Sequence, residues 1–286
     1  MRRNAIARII IYSLLIFVLV GILISGLDHD GFNWGTGSSG NYITGSGSID
    51  MSQIENIEIE WVSGNVDVIL VPDGENNISF SETQGEEEPM VYEIKGKTLI
   101  IRYCKQSIKV HFGNYSGLKK NLTVKIPENW SCRSLDIEAV SANVSVHLSE
   151  ANDVEIQNVS GKTDLNITKS GSVSVETVSG EVMFNGNCNE FDCSSVSGDC
   201  EVKLFGDAKD IALESVSGDL TVSILKDYGF TATIDSASGH IYSDYSTTIS
   251  GGKHTYGDGK IRIDAETVSG NIYIRKHTID AASSMS

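Results

Sequence analysis

From Leu135 onward, apolar side chains fall at every second position in short runs, and each run is followed by a Val-Ser-Gly-like triplet. Before the triplet come Leu135/Ile137, Val154/Ile156, Val173/Val175, Phe191/Cys193, Ile211/Leu213 and Ala232/Ile234. After it come Val144/Val146/Leu148, Thr163/Leu165/Ile167, Cys200/Val202/Leu204 and Leu220/Val222/Ile224. A period of two sends alternate side chains to opposite faces of a strand, so each triplet is flanked by two strands with a common apolar side. The triplets start at Val62, Val140, Val159, Val178, Val196, Val216, Ala237 and Val268, with steps from 140 of 19, 19, 18, 20, 21 and 31 residues. Near-constant spacing predicts a solenoid in which one repeat is one coil and Ser-Gly makes its corner, with glycine supplying positive φ. Neither strand buries its apolar face alone, but stacking coils about 4.8 Å apart gives two parallel ladders that do.

Val62 obeys the same register, with Ile57 and Ile59 before it and Val66, Val68 and Leu70 after, so the pattern predicts a first coil there. It breaks twice. Between 72 and 134 lie strand-like runs at 77–80, 91–94, 99–102, 108–112 and 122–126 without Ser-Gly. They fit either irregular coils or a small antiparallel sheet capping the solenoid. Between 237 and 268, about ten extra residues from Tyr242 to Lys260 predict a hairpin or protruding loop, where repeat proteins often place binding contacts.

The amino-terminal part follows another pattern. Ile9 to Leu27 holds nineteen residues without a charge, preceded by Arg2, Arg3 and Arg8 and followed by Asp28 and Asp30. That length and asymmetry predict an uncleaved signal anchor with a cytoplasmic amino terminus and everything after Leu27 exported. A cleaved signal peptide competes, but Ile24-Ser25-Gly26 matches its cleavage site poorly. Residues 28–50 are Gly- and Ser-rich and predict a flexible linker. The expected organisation is a basic tail (1–8), a transmembrane segment (9–27), the linker (28–50), a first coil with an irregular β region (51–134), a regular solenoid (135–276) and a tail (277–286). The expected fold class is all-β, a parallel β-solenoid of about 19–21 residues and two strands per coil, preceded by one transmembrane helix.

The Val-Ser-Gly-x-Val repeats, the Leu122–Pro127 run (LTVKIP) ahead of them and the closing Gly257–Ile261 (GDGKI) with Glu266–Ile272 (ETVSGNI) resemble the DUF4097 family of adhesin-like bacterial surface proteins. The resemblance covers about residues 50 to 275. It implies a β-solenoid behind a membrane anchor or signal and transfers no catalytic residues. Some relatives accompany envelope-stress signalling systems, which implies a second role, sensing or regulation through a membrane partner.

Charge narrows the partners. The formal net charge is -16, and removing the three leading arginines leaves 19 basic against 38 acidic residues from position 28 on, or -19. Such a surface repels phosphate backbones, so nucleic acid is not an expected partner. Cys104, Cys132, Cys188, Cys193 and Cys200 are odd in number and lack metal-type spacing; Cys193 and Cys200 take apolar positions of the repeat. One cysteine pair could still oxidise outside the cytosol.

No constellation for chemistry emerges. HExxH, GxSxG and Walker patterns are absent, no GxGxxG falls on a strand-helix junction, and His29, His111, His147, His240, His254 and His277 are scattered. Ser160, Ser179, Ser197 and Ser217 are explained by the corner, with no histidine at fixed spacing. Two carboxylate rows follow from stacking: Lys162, Glu181, Asp199, Asp219 and His240 after Ser-Gly, and Glu138, Gln157, Glu176, Ser194, Glu214, Asp235 and Glu266 before it. Ca²⁺ across Glu181, Asp199 and Asp219 is the alternative to a merely solvated face. The sequons, as at Asn143-Val144-Ser145, matter only in a eukaryotic secretory pathway. Catalytic, cofactor-binding and metal residues are therefore assigned to none. The expected function is a non-enzymatic surface adhesin or binding and scaffold module in the cell envelope, with membrane contact through the amino-terminal helix and an unidentified envelope protein or glycan as ligand. A polysaccharide-active β-helix enzyme is a minor alternative.

Overall fold

The computed structural model describes residues 42–72, 74–83, 89–105, 119–206 and 208–278. In chain order the strands are β1 (Ile43–Thr44), β2 (Gly47–Asp50), β3 (Asn56–Val71), β4 (Asn77–Thr83), β5 (Val91–Lys95), β6 (Thr98–Arg102) and β7 (Lys120–Pro127). The regular repeats form β8 (Cys132–Ser160), β9 (Thr163–Ser179), β10 (Val182–Ser195), β11 (Cys200–Leu204), β12 (Asp210–Ser215) and β13 (Leu220–Leu225). The last are β14 (Phe230–Ser236), β15 (Ile241–Ser243), β16 (Thr248–Ser250), β17 (Lys253–Tyr256), β18 (Ile261–Thr267) and β19 (Ile272–His277).

Two parallel ladders run the length of the stack, one on each side of the Ser-Gly corners. In the first, Phe191 pairs with Val173 and Ile211, and Ile211 with Ile263. In the second, Val182 pairs with Thr163 and Cys200, and Cys200 with Leu220. Their inward side chains meet in one core, in which Ile59, Ile137, Ile156, Val175, Leu213, Val146, Leu165, Val202 and Val222 are fully buried. Each such side chain stabilises the fold by roughly 1.5–3 kcal/mol relative to exposure. The alternation expected from the sequence is thus the packing observed, except that Leu70 and Ile234 are only partly buried and Ile241 is exposed.

The order of layers departs from the order of repeats at both ends. The coil after Leu220 is not Ile241 but Ile272: β13 pairs with β19, and β15 lies outside β19. The same holds for β12, β18 and β14. The last stretch of chain, 261–277, therefore slides between the layers 210–225 and 230–243. At the other end β3 lies between β8 on one side and β6 and β7 on the other, so the first coil in sequence is the second in space. Tucking each terminal coil beneath a later or earlier one gives it ladder partners on both sides, which a sequentially wound coil at an end would lack.

The two irregular regions are now explained. Residues 72–134 supply both of the structures that the sequence left open. β6 and β7 continue the parallel ladders, while β4 and β5 pair antiparallel to them and β2 and β1 lie beyond. The run at 108–112 lies outside the described residues. Residues 242–260 form a hairpin, β16 with β17, and β17 pairs antiparallel with β14 as a cap on the first ladder. The extra length also carries the chain back to its inserted final layer.

Two expectations are corrected. The fold class included an amino-terminal transmembrane helix, but the described chain is all-β with a single three-residue helical turn at Met51–Gln53. None of its helices is long and apolar enough to cross a membrane; Ile9–Leu27 lies outside the described residues. Second, positive φ is not the general reason for the corner glycines, since only Gly64 and Gly161 of the motif adopt it. Crowding is. A Cβ on Gly180 would lie 2.1 Å from the carbonyl oxygen of Gly161, and the same contact recurs from corner to corner.

Candidate functional site

Because every inward position is spent on the core, recognition falls to the outward rows. The outer face of the first ladder is acidic. One row runs Glu155, Ser174, Asp192, Ala212, Asp264 and Thr233, with Glu58 and Asp136 continuing it at the amino-terminal end. The neighbouring row holds Glu60 and Glu138, then Gln157, Glu176, Ser194, Glu214, Glu266 and Asp235. The second row was legible as a ladder, although the threading places Glu266 between Glu214 and Asp235. The first was missed. Its signal is the outward position four residues before each triplet.

Desolvation, reinforced at most positions by neighbouring carboxylates, raises pKa values on this face. Desolvation among the packed side chains and then Glu155 and Glu58 push Asp136 up to about 6. Desolvation first, followed by Asp136, Glu60, Glu58 and Glu155, pushes Glu138 up to about 7, even though its side chain still touches solvent. Glu176 and Asp192 are raised for the same leading reason. At the amino-terminal end Arg102, 3.0 Å from Glu60, opposes the trend without reversing it.

The row after Ser-Gly has a different job. In space it runs Asn65, Asn143, Lys162, Glu181, Asp199, Asp219, Asn271 and His240. Asp199 Oδ1 accepts from the Asp219 backbone N–H at 2.8 Å, Asp219 Oδ1 from that of Asn271 at 2.7 Å, and Asn271 Oδ1 from that of His240 at 3.1 Å. Asn143 does the same for Lys162. Each side chain thus satisfies a donor in the next corner, where the strand ladder is interrupted. Glu181 instead pairs with Lys162 at 3.6 Å. The Ca²⁺ alternative therefore competes with hydrogen bonds these carboxylates already make. Among the described residues no three His, Cys, Asp or Glu side chains are grouped to hold a metal ion.

The outer face of the second ladder ends in aromatic residues. Tyr242 and Tyr273 are paired neighbours on β15 and β19, with ring centroids 5.1 Å apart and planes at 10°. The His240 ring lies 6.2 Å from that of Tyr242 with planes at 29°, and the Arg275 guanidinium sits 4.6 Å from the Tyr273 centroid. Asp244 holds Arg275 at 3.6 Å. Tyr242 is 46% exposed, which makes this an open stack and not part of the core. Both tyrosines stand five residues after their triplets begin, so the pair could have been found by the same register that located the core.

The remaining candidates have structural explanations. Ser160 Oγ lies 3.4 Å from the carbonyl oxygen of Val140, while Ser179, Ser197 and Ser217 are exposed at corners. Of the histidines, His147 meets Asn166, His254 meets Thr247, and His277 Nε2 lies 2.7 Å from the Leu204 carbonyl oxygen. His29 and His111 lie outside the described residues. Cys132, Cys188, Cys193 and Cys200 are buried thiols, and burial pushes Cys132 and Cys188 up to about 12. Burial and the adjoining Cys193 raise Cys200 as well.

The Toastrack DUF4097 family model matches residues 54–189 and 168–275. A comparison with curated proteins finds no significant match. Similar solved structures include a candidate cell-adhesion protein of Clostridium sporogenes, at 13% identity, 83% of this chain, 100% of that chain and TM-score 0.35. A candidate adhesin of Bacteroides fragilis matches at 15% identity, with 85% and 100% covered and TM-score 0.44. A candidate lipid-binding protein of Parabacteroides distasonis matches at 14%, with 84% and 98% covered and TM-score 0.47. Likenesses this distant do not assign an activity.

Proposed function

The chain belongs to the Toastrack DUF4097 family, and on that footing we propose that it is an exported, non-enzymatic binding module that takes carbohydrate on the Tyr242–Tyr273 face. The observation that carries the reading is the stacked, near-parallel tyrosine pair, with Tyr242 open to solvent and Tyr273 half-buried, flanked by charged and amide groups. The C–H face of a pyranose packs on an aromatic ring, and ring area of this kind is held rigid at little entropic expense on a paired strand. Arg275, His240, Asp244 and Asn271 supply donors and acceptors around the rings for sugar hydroxyls. A straight sheet face offers rows and not a closed cleft, which suits retention of an extended polymer better than bond cleavage.

The test is a panel of immobilised envelope and host-type glycans offered to the full chain, followed by analysis of the eluted sugars. The reading expects capture of at least one glycan with its chain length unchanged. Shortened products would contradict the non-enzymatic claim, and capture of none would contradict the carbohydrate claim.

A further inference from the structure

The two ladders have four terminal strands between them, and three are covered by an antiparallel strand: β6 by β5, β7 by β4 and β14 by β17. The fourth, β15, pairs with β19 on one side and, among the described residues, with no strand on the other. The exposed apolar side chains follow this asymmetry. Five large hydrophobic residues are exposed among those described, and three of them, Ile241, Tyr242 and Ile249, sit on the carboxy-terminal layer and its hairpin. Ile241 occupies a core-facing position, in register with the fully buried Ile272, yet is 43% exposed. An uncovered edge of this kind is a template for another strand.

The geometry points to a second copy of this chain as the occupant, paired antiparallel through β15 about a two-fold axis at Tyr242. Hydrogen-bond parity selects this register. Asp244 N–H donates to Ile274 O and Ile272 N–H to His240 O, so residues 240, 242 and 244 face β19 and the backbone groups of Ile241 and Ser243 point outward. With Tyr242 opposite Tyr242 of the second copy, Ile241 lies opposite Ser243 of that copy, and each such pair exchanges both backbone bonds. The same register sets His240 against Asp244 of the second copy and Asp244 against its His240, an imidazole-to-carboxylate pairing repeated by symmetry. It also covers Ile241 and joins the two tyrosine pairs into one continuous row. A two-fold contact of this type closes on itself and covers the last open terminal strand of the two ladders.

The test uses the full chain in mild non-ionic detergent, which accommodates the apolar segment 9–27. Facing residues in a wide antiparallel pair have Cα atoms about 4.5 Å apart, within disulfide reach. Tyr242→Cys should therefore give a covalent dimer on mild oxidation, whereas Ser223→Cys, on the same ladder but inside the stack, should stay monomeric on a denaturing gel. Ser243→Pro removes an outward N–H without touching the bonds to β19, and should lower the dimer fraction at least tenfold while the chain keeps its β-sheet circular dichroism; Ser243→Ala, which loses only the hydroxyl bonds to Tyr245, should keep the dimer. A chain that sediments as a monomer at all concentrations overturns the proposal. So does a dimer that Tyr242→Cys fails to link, because it would use another surface. Capture of an unrelated extended peptide by a monomeric chain overturns it too.

Discussion

Gly239 stacks on Gly270, thirty-one residues later in the chain and one layer earlier in space: a Cβ on Gly239 would meet the Gly270 carbonyl oxygen at 1.7 Å. The contact records the threading of the final coil, since Gly270 in turn stands 2.0 Å from the Gly218 carbonyl oxygen by the same construction. From Gly161 to Gly239 the corners form one continuous column of backbone in which side chains have no room, and Ala142 at the preceding corner is the exception.

Gly270→Ala places a methyl group against backbone that neighbouring layers hold on both sides. The expected loss is about 2 kcal/mol or more, beyond the usual Gly-to-Ala effect at a permissive site. Gly74, where an added Cβ would meet no atom within 4 Å beyond its chain neighbours, has a φ of 113° and is the control for backbone strain alone. Urea unfolding of the two variants should separate crowding from strain.

Ile274 lies in the inserted coil and is fully buried, paired across β13 and β15. Ile274→Ala should cost roughly 2–5 kcal/mol. Because β19 bridges its two neighbours, hydrogen exchange should accelerate in β13 and β15 together in this variant, although residues 220–225 and 241–243 are far apart in sequence.

The Lys120 ammonium is buried against Glu82 at 2.9 Å, between the rings of Trp61 and Tyr103. Lys120→Met leaves the Glu82 carboxylate buried without its cation and should destabilise by about 3 kcal/mol or more. Adding Glu82→Gln removes that charge while keeping an acceptor for the Met90 N–H, so the double variant should be the more stable of the two. Thermal melts of wild type, single and double variants complete the comparison.

The acidic face predicts a pH dependence. Asp136 and Glu138 are raised to about 6 and about 7 from ordinary values of 3.8 and 4.5, so the folded chain holds protons that the unfolded chain releases. In the window between those values stability must fall as pH rises, and the loss is complete above the folded pKa values. The lowered carboxyls of Asp50, Glu55 and Asp258 act in the opposite sense, but below about pH 4. Melting temperature should therefore decline from pH 5 to pH 8, and Glu138→Gln should flatten the decline while raising stability at pH 8.

Local pattern was enough to place most of the core, because alternation and a fixed repeat both report on which side chain points inward. Leu135, Val175 and Val222 needed nothing else. What alternation does not encode is the order of layers. Ile241 and Ile272 carry the same pattern in the same register, and only the length of the intervening hairpin and its fit against β14 decide which one enters the stack. The tyrosine pair, by contrast, was legible, since Tyr242 and Tyr273 hold the same position in consecutive repeats; what the threading decides is that Tyr242 lies on the outermost layer. Likewise, Asp199 and Asp219 look like an idle or metal-binding acidic row until the backbone N–H of the following corner is seen to take one oxygen of each.

Calorimetric titration of the captured glycan into the full chain and its Tyr273 variants tests the central claim most directly. Tyr273 is the better probe because Tyr242 also lies at the open edge. Loss of one ring from the stack should weaken binding about tenfold for Tyr273→Ala, roughly 1.4 kcal/mol, and little for Tyr273→Phe, which keeps the ring. Equal affinity in wild type and Tyr273→Ala, with both folded, would contradict the assignment of this face as the binding site.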